Sequence, residues 1–382
     1  MKIAIIGSDG ISTRYGGYEN LAHHLATRFS VEHEVHVYCS DKFYNKKERT
    51  DKYEDVILHH VPLNANGMSF IPYDLYCILH ASIYADTFII FGVSGALFLP
   101  FVRLFSNKQV ITSVDCLEWK RIKWSKPTKW MLKFFERMVV RFSHVVIADN
   151  LAIQEYIEKE YGVEAELIEY GADHVQRVMP SPVEFIAYPF LKETYAFSVC
   201  RIEPENNIHV ILDAFIGLSL PLIIVGNWNT SEYGSQLKIK YSKFENIQLL
   251  QPIFQQRVLD VIRSNAYIYM HGHSEGGTNL SLIEAMHLNL PIFAFDVSYN
   301  RATTENAAFY FSDATTLSNL IKSTNVADIQ SNRAQMLNIA MRRYNWSRIA
   351  NKYSSLLKPE ILTIPVSSET TLLCDSSKQT AA

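Results

Sequence analysis

The chain has 382 residues, 48% hydrophobic and 20% charged, with a formal net charge of −3. That length fits two domains, each able to bury its own core, and the near-neutral balance gives no electrostatic footprint for nucleic acid. Its five cysteines (Cys39, Cys77, Cys116, Cys200, Cys374) are scattered and odd in number. They argue for reduced thiols in a cytoplasm and against a disulfide framework or a Cys-x-x-Cys zinc site.

Lys2 to Gly7 is a continuous apolar run of the kind buried on both faces of a parallel sheet. Met1-Lys2 ahead of it leaves no room for a signal peptide. A loop from Ser8 to Gly17 leads into a helix from Tyr18 to Phe29. Helix N-termini present unpaired N–H groups and partial positive charge, so this junction is a candidate phosphate site. Its glycines, at 7, 10, 16 and 17, form neither G-x-G-x-x-G nor a Walker loop. Gly16 and Gly17 end this loop at the helix start, with Arg14 just before them. Glu34 to Cys39 and Val56 to Val61 read as strands. His23-His24 and His59-His60 are adjacent pairs whose side chains point apart, a poor spacing for a metal ion. Phe88 to Phe105 reads as a strand (Phe88 to Phe91) and a core helix, since Gly92, Gly95, Pro100 and Arg103 interrupt it as a membrane span.

Gln109 to Val114 is a strand running into Asp115-Cys116-Leu117-Glu118-Trp119-Lys120-Arg121. Polar residues past the carboxyl end of a strand in an open α/β sheet lie where ligands bind. Asp115 and Glu118 are therefore candidates to touch an acceptor hydroxyl. Lys129, Lys133, Arg137 and Arg141 then recur every fourth residue and line one helix face, with Trp119 and Trp124 just before. Such a face suits a membrane surface with anionic lipid, and equally a solvated helix over a core. Val145 to Ala148 reads as a strand, Leu151 to Tyr161 as a helix, and Glu166 to Tyr170 as the last strand of a first domain, residues 1–172.

The second domain, 173–342, opens on a strand from Tyr195 to Cys200 followed by Arg201, whose planar fork is suited to phosphate oxygens. Leu222 to Gly226 and Ile247 to Leu250 are further strands, and Gln255 to Arg263 a helix. Ala266 to Met270 is a strand that leads to Ser274–Asn279, where Gly276 and Gly277 carry no side chain to hold a ligand off. A helix from Leu280 to His287 follows, closed by Pro291. Thr278 and Asn279 at its start are placed to meet a phosphate, and Glu284, one turn in, to take two hydroxyls of a ribose. Ala308 to Phe311 is another strand. A terminal helix spans 343–358, with Trp346, Ile349 and Tyr353 on one side, and the Ser/Thr-rich stretch 359–382 is expected to be disordered.

Glu284-Ala285-Met286 with Pro291, the Gly-Gly-Thr-Asn before them, and Asp-x-Leu-Glu-Trp-Lys-Arg at 115–121 together resemble the retaining glycosyltransferases of family 4. Within them the chain is most similar to rhamnosyltransferases of bacterial capsule and exopolysaccharide assembly. The resemblance implies the α/β GT-B fold, two Rossmann-like domains facing across a cleft, with the helix at 343–358 crossing back onto the first. It further implies a nucleoside diphosphate sugar donor, dTDP-rhamnose first, a lipid-linked saccharide acceptor, no cofactor, and peripheral contact with the cytoplasmic face of the plasma membrane. Arg201 matches the Arg of the family's diphosphate clamp. Asn206 stands at its Lys position, Gly276 at the position of the first of two Glu residues, and no His stands near Asp115. No Asp-x-Asp motif is present, in keeping with a metal-independent reaction. A nucleotide-sugar epimerase on the same scaffold, and a non-catalytic sugar-nucleotide-binding protein, are the other readings.

Overall fold

The computed structural model describes residues 1–11, 16–41, 49–65, 69–121 and 124–357. Eight strands of the first part form one sheet: β1 (Lys2–Ile6), β2 (Glu34–Ser40), β3 (Lys52–Tyr53), β4 (Val56–Val61), β5 (Thr87–Phe91), β6 (Gln109–Val114), β7 (Val145–Ala148) and β8 (Glu166–Leu167). Their order is β3-β4-β2-β1-β5-β6-β7-β8, parallel throughout except for β3 against β4. Parallel strands need helices on both faces, so they read as unbroken apolar runs. In β1, Ile3 and Ile5 pack into one core while Ala4 and Ile6 pack into another on the opposite face.

A second parallel sheet is built from β9 (Ala196–Val199), β10 (Leu222–Val225), β11 (Ile247–Leu250), β12 (Ile268–His271), β13 (Ile292–Phe295) and β14 (Phe309–Phe311), in the order β11-β10-β9-β12-β13-β14. Both sheets are α/β and doubly wound. One apolar core runs between them, joining Leu21, Leu25 and Phe29 of the first part to Leu282, Ile283 and Met286 of the second.

Three expectations are corrected. Glu166 to Tyr170 pairs as a strand only over Glu166–Leu167, because Glu169 turns away to meet Arg343 at 2.5 Å. The helix after β5, Leu99–Phe105, is not a core helix: Leu99 and Val102 are buried but Phe101, Leu104 and Phe105 are exposed. Among the described residues no helix is long and apolar enough to cross a membrane. The C-terminal helix begins at Trp346, not at 343, since the preceding helix Val326–Arg343 ends there. Asn345 caps the new helix through its side chain, accepting from the amides of Ser347 and Arg348. This helix, Trp346–Leu356, lies on the helix Gly17–Phe29 of the first part: Trp346 stacks on His24 at 4.1 Å, and the Gln109 amide donates to the Leu356 carbonyl at 2.6 Å. Arg14 and the stretch 359–382 lie outside the described residues.

Candidate active site between the two sheets

The carboxyl ends of the two sheets meet. On the first wall, β1 ends at Gly7, whose positive φ of 98° brings it so close to β5 that an added Cβ would sit 2.3 Å from the Phe91 carbonyl oxygen. The loop returns at Gly16, φ 132°, which leads into the helix Gly17–Phe29. A Cβ at Gly16 would fall 1.6 Å from a carboxylate oxygen of Glu19, so only glycine fits here. Glu19 is turned inward, accepting from the Asp9 amide at 3.0 Å, and burial pushes its carboxyl up to about 7. Beside it Tyr18, stacked on Phe91, donates its hydroxyl to Asp115 at 2.5 Å. Burial also raises Asp115, though hydrogen bonds from Tyr18 and Cys116 pull the other way. Asp149, just past β7, is pushed well up by burial and then by the charge of Asp115. Glu19 was not singled out in the sequence; an acid three residues into a helix gives no sign that it will be buried.

Two contacts tie this wall to the other. Gly277 approaches so closely that an added Cβ would meet an Asp149 carboxylate oxygen at 2.0 Å and the Asp115 carbonyl oxygen at 2.3 Å. The next amide, Thr278 N–H, donates to Asp149 Oδ2 at 3.0 Å, and the Thr278 hydroxyl donates to the Asp149 carbonyl. The amide expected to meet a phosphate is thus given to a carboxylate of the opposite wall. The second contact is Arg121, the last residue of the motif at 115–121. Its guanidinium donates to Glu205 at 3.0 Å and Glu203 at 2.5 Å on the second part, and to Glu118 at 3.3 Å on the first. Glu118, expected at the acceptor, accepts on its other oxygen from the Trp124 indole at 2.9 Å. Asp115 is the acid of that pair whose carboxylate meets Tyr18, the residue after Gly17.

On the second wall Arg201 stands two residues past β9 and its side chain is exposed. Asn206 is 3% exposed and its amide donates to the Arg201 carbonyl at 2.7 Å. It therefore helps to fix the turn that carries Arg201. Asn279 caps the helix Leu280–His287, accepting from the Ser281 amide at 3.2 Å. Gly276 has φ 124° and open space where a side chain would project. Glu284 is held between Arg263, which donates to one oxygen, and His174, 3.0 Å from the other. Burial acts to raise Glu284, but Arg263 and His174 outweigh it and hold the carboxyl below its ordinary value. The His174 tautomer follows from its neighbour. The Trp346 indole N–H can only donate, so Nδ1 accepts it at 3.1 Å and Nε2–H is the donor to Glu284.

The cationic face at 129–141 divides in two. Lys133 is tucked in, 3.3 Å from Glu136 and 3.1 Å from Glu160, and lies over the rings of Trp119, Tyr156 and Tyr161. Lys129 donates to the Lys120 carbonyl at 3.3 Å. Arg137 and Arg141 face outward. Trp119 and Trp124, expected at a membrane surface, are instead drawn inward by carboxylates: Trp119 donates to Glu136 at 3.1 Å, Trp124 to Glu118. The exposed aromatics are Trp130 and Phe134, 76% and 42% exposed. With Arg137, Arg141, Glu160 and Tyr161 they line a surface groove of about 720 Å³.

Residues 185–352 match the family model described as Glycosyl transferases group 1, and residues 1–173 match one described as Domain of unknown function (DUF1972). No curated protein matches the sequence. Among solved structures, sucrose-phosphate synthase from Thermosynechococcus elongatus is similar over 93% of this chain and 98% of its own, with a TM-score of 0.77 at 16% identity. HepE of Anabaena in complex with UDP-glucose is similar over 94% and 99%, with a TM-score of 0.73 at 14% identity. The E. coli trehalose-6-phosphate structure bound with UDP-2-fluoro glucose covers 94% and 99%, with a TM-score of 0.69 at 11% identity. The fold shared with these structures is GT-B, two Rossmann-like domains across a cleft.

Proposed function

We propose that this protein is a retaining glycosyltransferase that moves a sugar from a nucleoside diphosphate donor, dTDP-rhamnose first, to a lipid-linked saccharide in capsule or exopolysaccharide synthesis. It works in the cytoplasm, in contact with the inner face of the plasma membrane. The observation that carries this reading is the exposed Arg201 at the carboxyl end of β9, within a cleft where the ends of both parallel sheets meet. The group 1 domain supports it, as do fold neighbours that hold UDP-glucose and UDP-2-fluoro glucose.

Departure of a nucleoside diphosphate leaves negative charge on the bridging oxygen, and fixed cations and dipoles aimed there lower the barrier. Arg201 supplies the charge, and the Gly16-Gly17 junction opposite lets a diphosphate approach bare backbone. Glu284, oriented on both oxygens by Arg263 and His174, receives the ribose. Asp115, paired with Tyr18, orients the acceptor hydroxyl, which attacks on the face the diphosphate leaves. Because Asp149 holds the Thr278 amide, a phosphate at Gly277-Thr278 replaces that carboxylate, and the cleft opens to admit the donor.

Incubation with a panel of nucleotide sugars and a lipid-linked saccharide tests the reading. Transfer from dTDP-rhamnose with retained anomeric configuration is the expected result. An isomerised donor marks an epimerase, and binding without turnover marks a sensor; either replaces the proposal.

A further inference from the structure

Resting on the nucleotide-sugar reading above, we propose that His273 is the second ligand of the donor's diphosphate, beside Arg201. β9 and β12 are hydrogen-bonded parallel neighbours, with Ile268 opposite Ala196 and Tyr269 opposite Phe197. Carried past the strand ends, that register sets His273 level with Arg201. The two loops pack together there: the Asn207 amide donates to the Gly272 carbonyl at 3.0 Å, and the Ser274 amide to the Glu205 carbonyl at 2.9 Å. An added Cβ at Gly272 would lie 2.2 Å from the Asn206 carbonyl oxygen. His273 therefore adjoins the turn in which the buried Asn206 gives an N–H to the Arg201 carbonyl.

The histidine pair is also unsatisfied. His273 stacks on His271 with centroids 4.4 Å apart and planes at 11°. His271 is 1% exposed, and neither of its ring nitrogens has a hydrogen-bond partner; Nδ1 of His273 is likewise buried without one. Buried polar groups are almost always paired, and these orphaned nitrogens lie at the carboxyl end of β12, beside the turn that carries Arg201. Burial, His271, Arg201 and Arg121 all act to keep His273 neutral, so it offers an N–H without adding charge, and Nε2 is the atom left to meet a phosphoryl oxygen. Glu203 and Glu205 of this turn are already bound to Arg121, and burial raises the carboxyl of Glu275, two residues past His273. The ligand class is thus a nucleoside diphosphate held by one guanidinium and one imidazole.

The test is calorimetric titration of wild type, H273A, H273N and R201A with dTDP and UDP, and with thymidine and uridine. H273A is expected to weaken diphosphate binding roughly tenfold or more, the range for hydrogen bonds to charged groups. Nucleoside binding should be unchanged, and H273N, which keeps an N–H donor, should recover part of the loss and guards against a folding defect in H273A. If R201A weakens diphosphate binding while H273A stays within twofold of wild type, His273 is removed and the proposed function stands. Equal losses for diphosphate and nucleoside would show a merely structural histidine and overturn the assignment. Wild-type protein that binds no nucleoside diphosphate sinks both readings.

Discussion

The two walls of the cleft bury carboxylates on opposite terms. On the first, Glu19, Asp115 and Asp149 lie near one another with no cation in contact among the described residues, and burial raises all three. On the second, Glu284 is as buried, yet its carboxyl is held below the ordinary value because Arg263 and His174 touch it. Depth alone does not set the charge; the partner does. In the proposed function the first wall, with its raised carboxyls and neighbouring hydroxyls, is the side of the acceptor, and the second, with a fixed anion and an exposed cation, is the side of the donor.

The largest test of that division removes what holds the walls together. Arg121 is the cation shared by Glu118, Glu203 and Glu205. Arg121→Ala leaves three carboxylates facing one another, and breaking a buried pair on one side costs roughly 3–5 kcal/mol. The expected outcome is an open cleft, seen as a larger radius of gyration in small-angle scattering with each domain still folded. An unchanged scattering profile would show that the apolar core between Leu25 and Ile283 closes the cleft without the clamp.

The next effect belongs to the first wall. With Glu19 at about 7 in the fold against an ordinary 4.5, the native protein keeps a proton that the unfolded chain has lost between those values. Its contribution to stability is intact below about pH 4.5, falls as pH rises, and has cost about 3 kcal/mol above about pH 7. Urea unfolding of wild type and Glu19→Gln at pH 5 and pH 8 should show the variant losing much less stability across that interval. Equal slopes would mean that Glu19 is ionised in the fold.

On the second wall, Arg201→Ala is expected to lower the transfer rate by on the order of 10²-fold, about 2.7 kcal/mol of barrier, with an unchanged melting temperature because the side chain is exposed. A variant keeping more than half of the wild-type rate removes Arg201 from the site. Glu284→Gln should weaken dTDP binding by roughly 1.5–3 kcal/mol. Calorimetry decides it, and an unchanged affinity would confine Glu284 to holding Arg263 and His174.

Much of the fold was legible because parallel strands bury both faces and are mostly apolar, even where a Gln, a Thr-Ser pair or a His pair interrupts them. Val56–Val61, Gln109–Val114, Val145–Ala148 and Ile247–Leu250 stand at the expected bounds. The helix Leu280–His287 does too, its apolar spacing closed by Pro291. What the sequence hid depends on the other domain. Nothing local says that Asp149 will take the Thr278 amide, that Arg121 will bridge to Glu203 and Glu205, or that Trp346 will fix the His174 tautomer. Each of these partners lies more than 80 residues away along the chain. Asn206 shows the same limit at short range: the position matched a clamp residue, but whether an amide faces out or turns onto its own loop is decided by packing.

The smallest effect is at the outer face of the first domain, and the same rule decides it. Lys133 has spent its charge on Glu136 and Glu160, whereas Arg137 and Arg141 face outward beside the exposed Trp130 and Phe134. Each basic residue near an anionic lipid surface contributes roughly 1 kcal/mol, fading within a Debye length. Replacing Arg137 and Arg141 by Gln should therefore weaken binding to phosphatidylserine vesicles by about 2 kcal/mol and leave donor hydrolysis unchanged. Lys133→Gln should leave vesicle binding nearly as it was, since that ammonium is already paired with Glu136 and Glu160. Trp130→Ala should weaken binding even at high salt, because its contribution is apolar area and is not screened. Sedimentation with vesicles across a salt series reads all three. Wild-type protein that stays in the supernatant at low salt would make this helix a solvated face over a core.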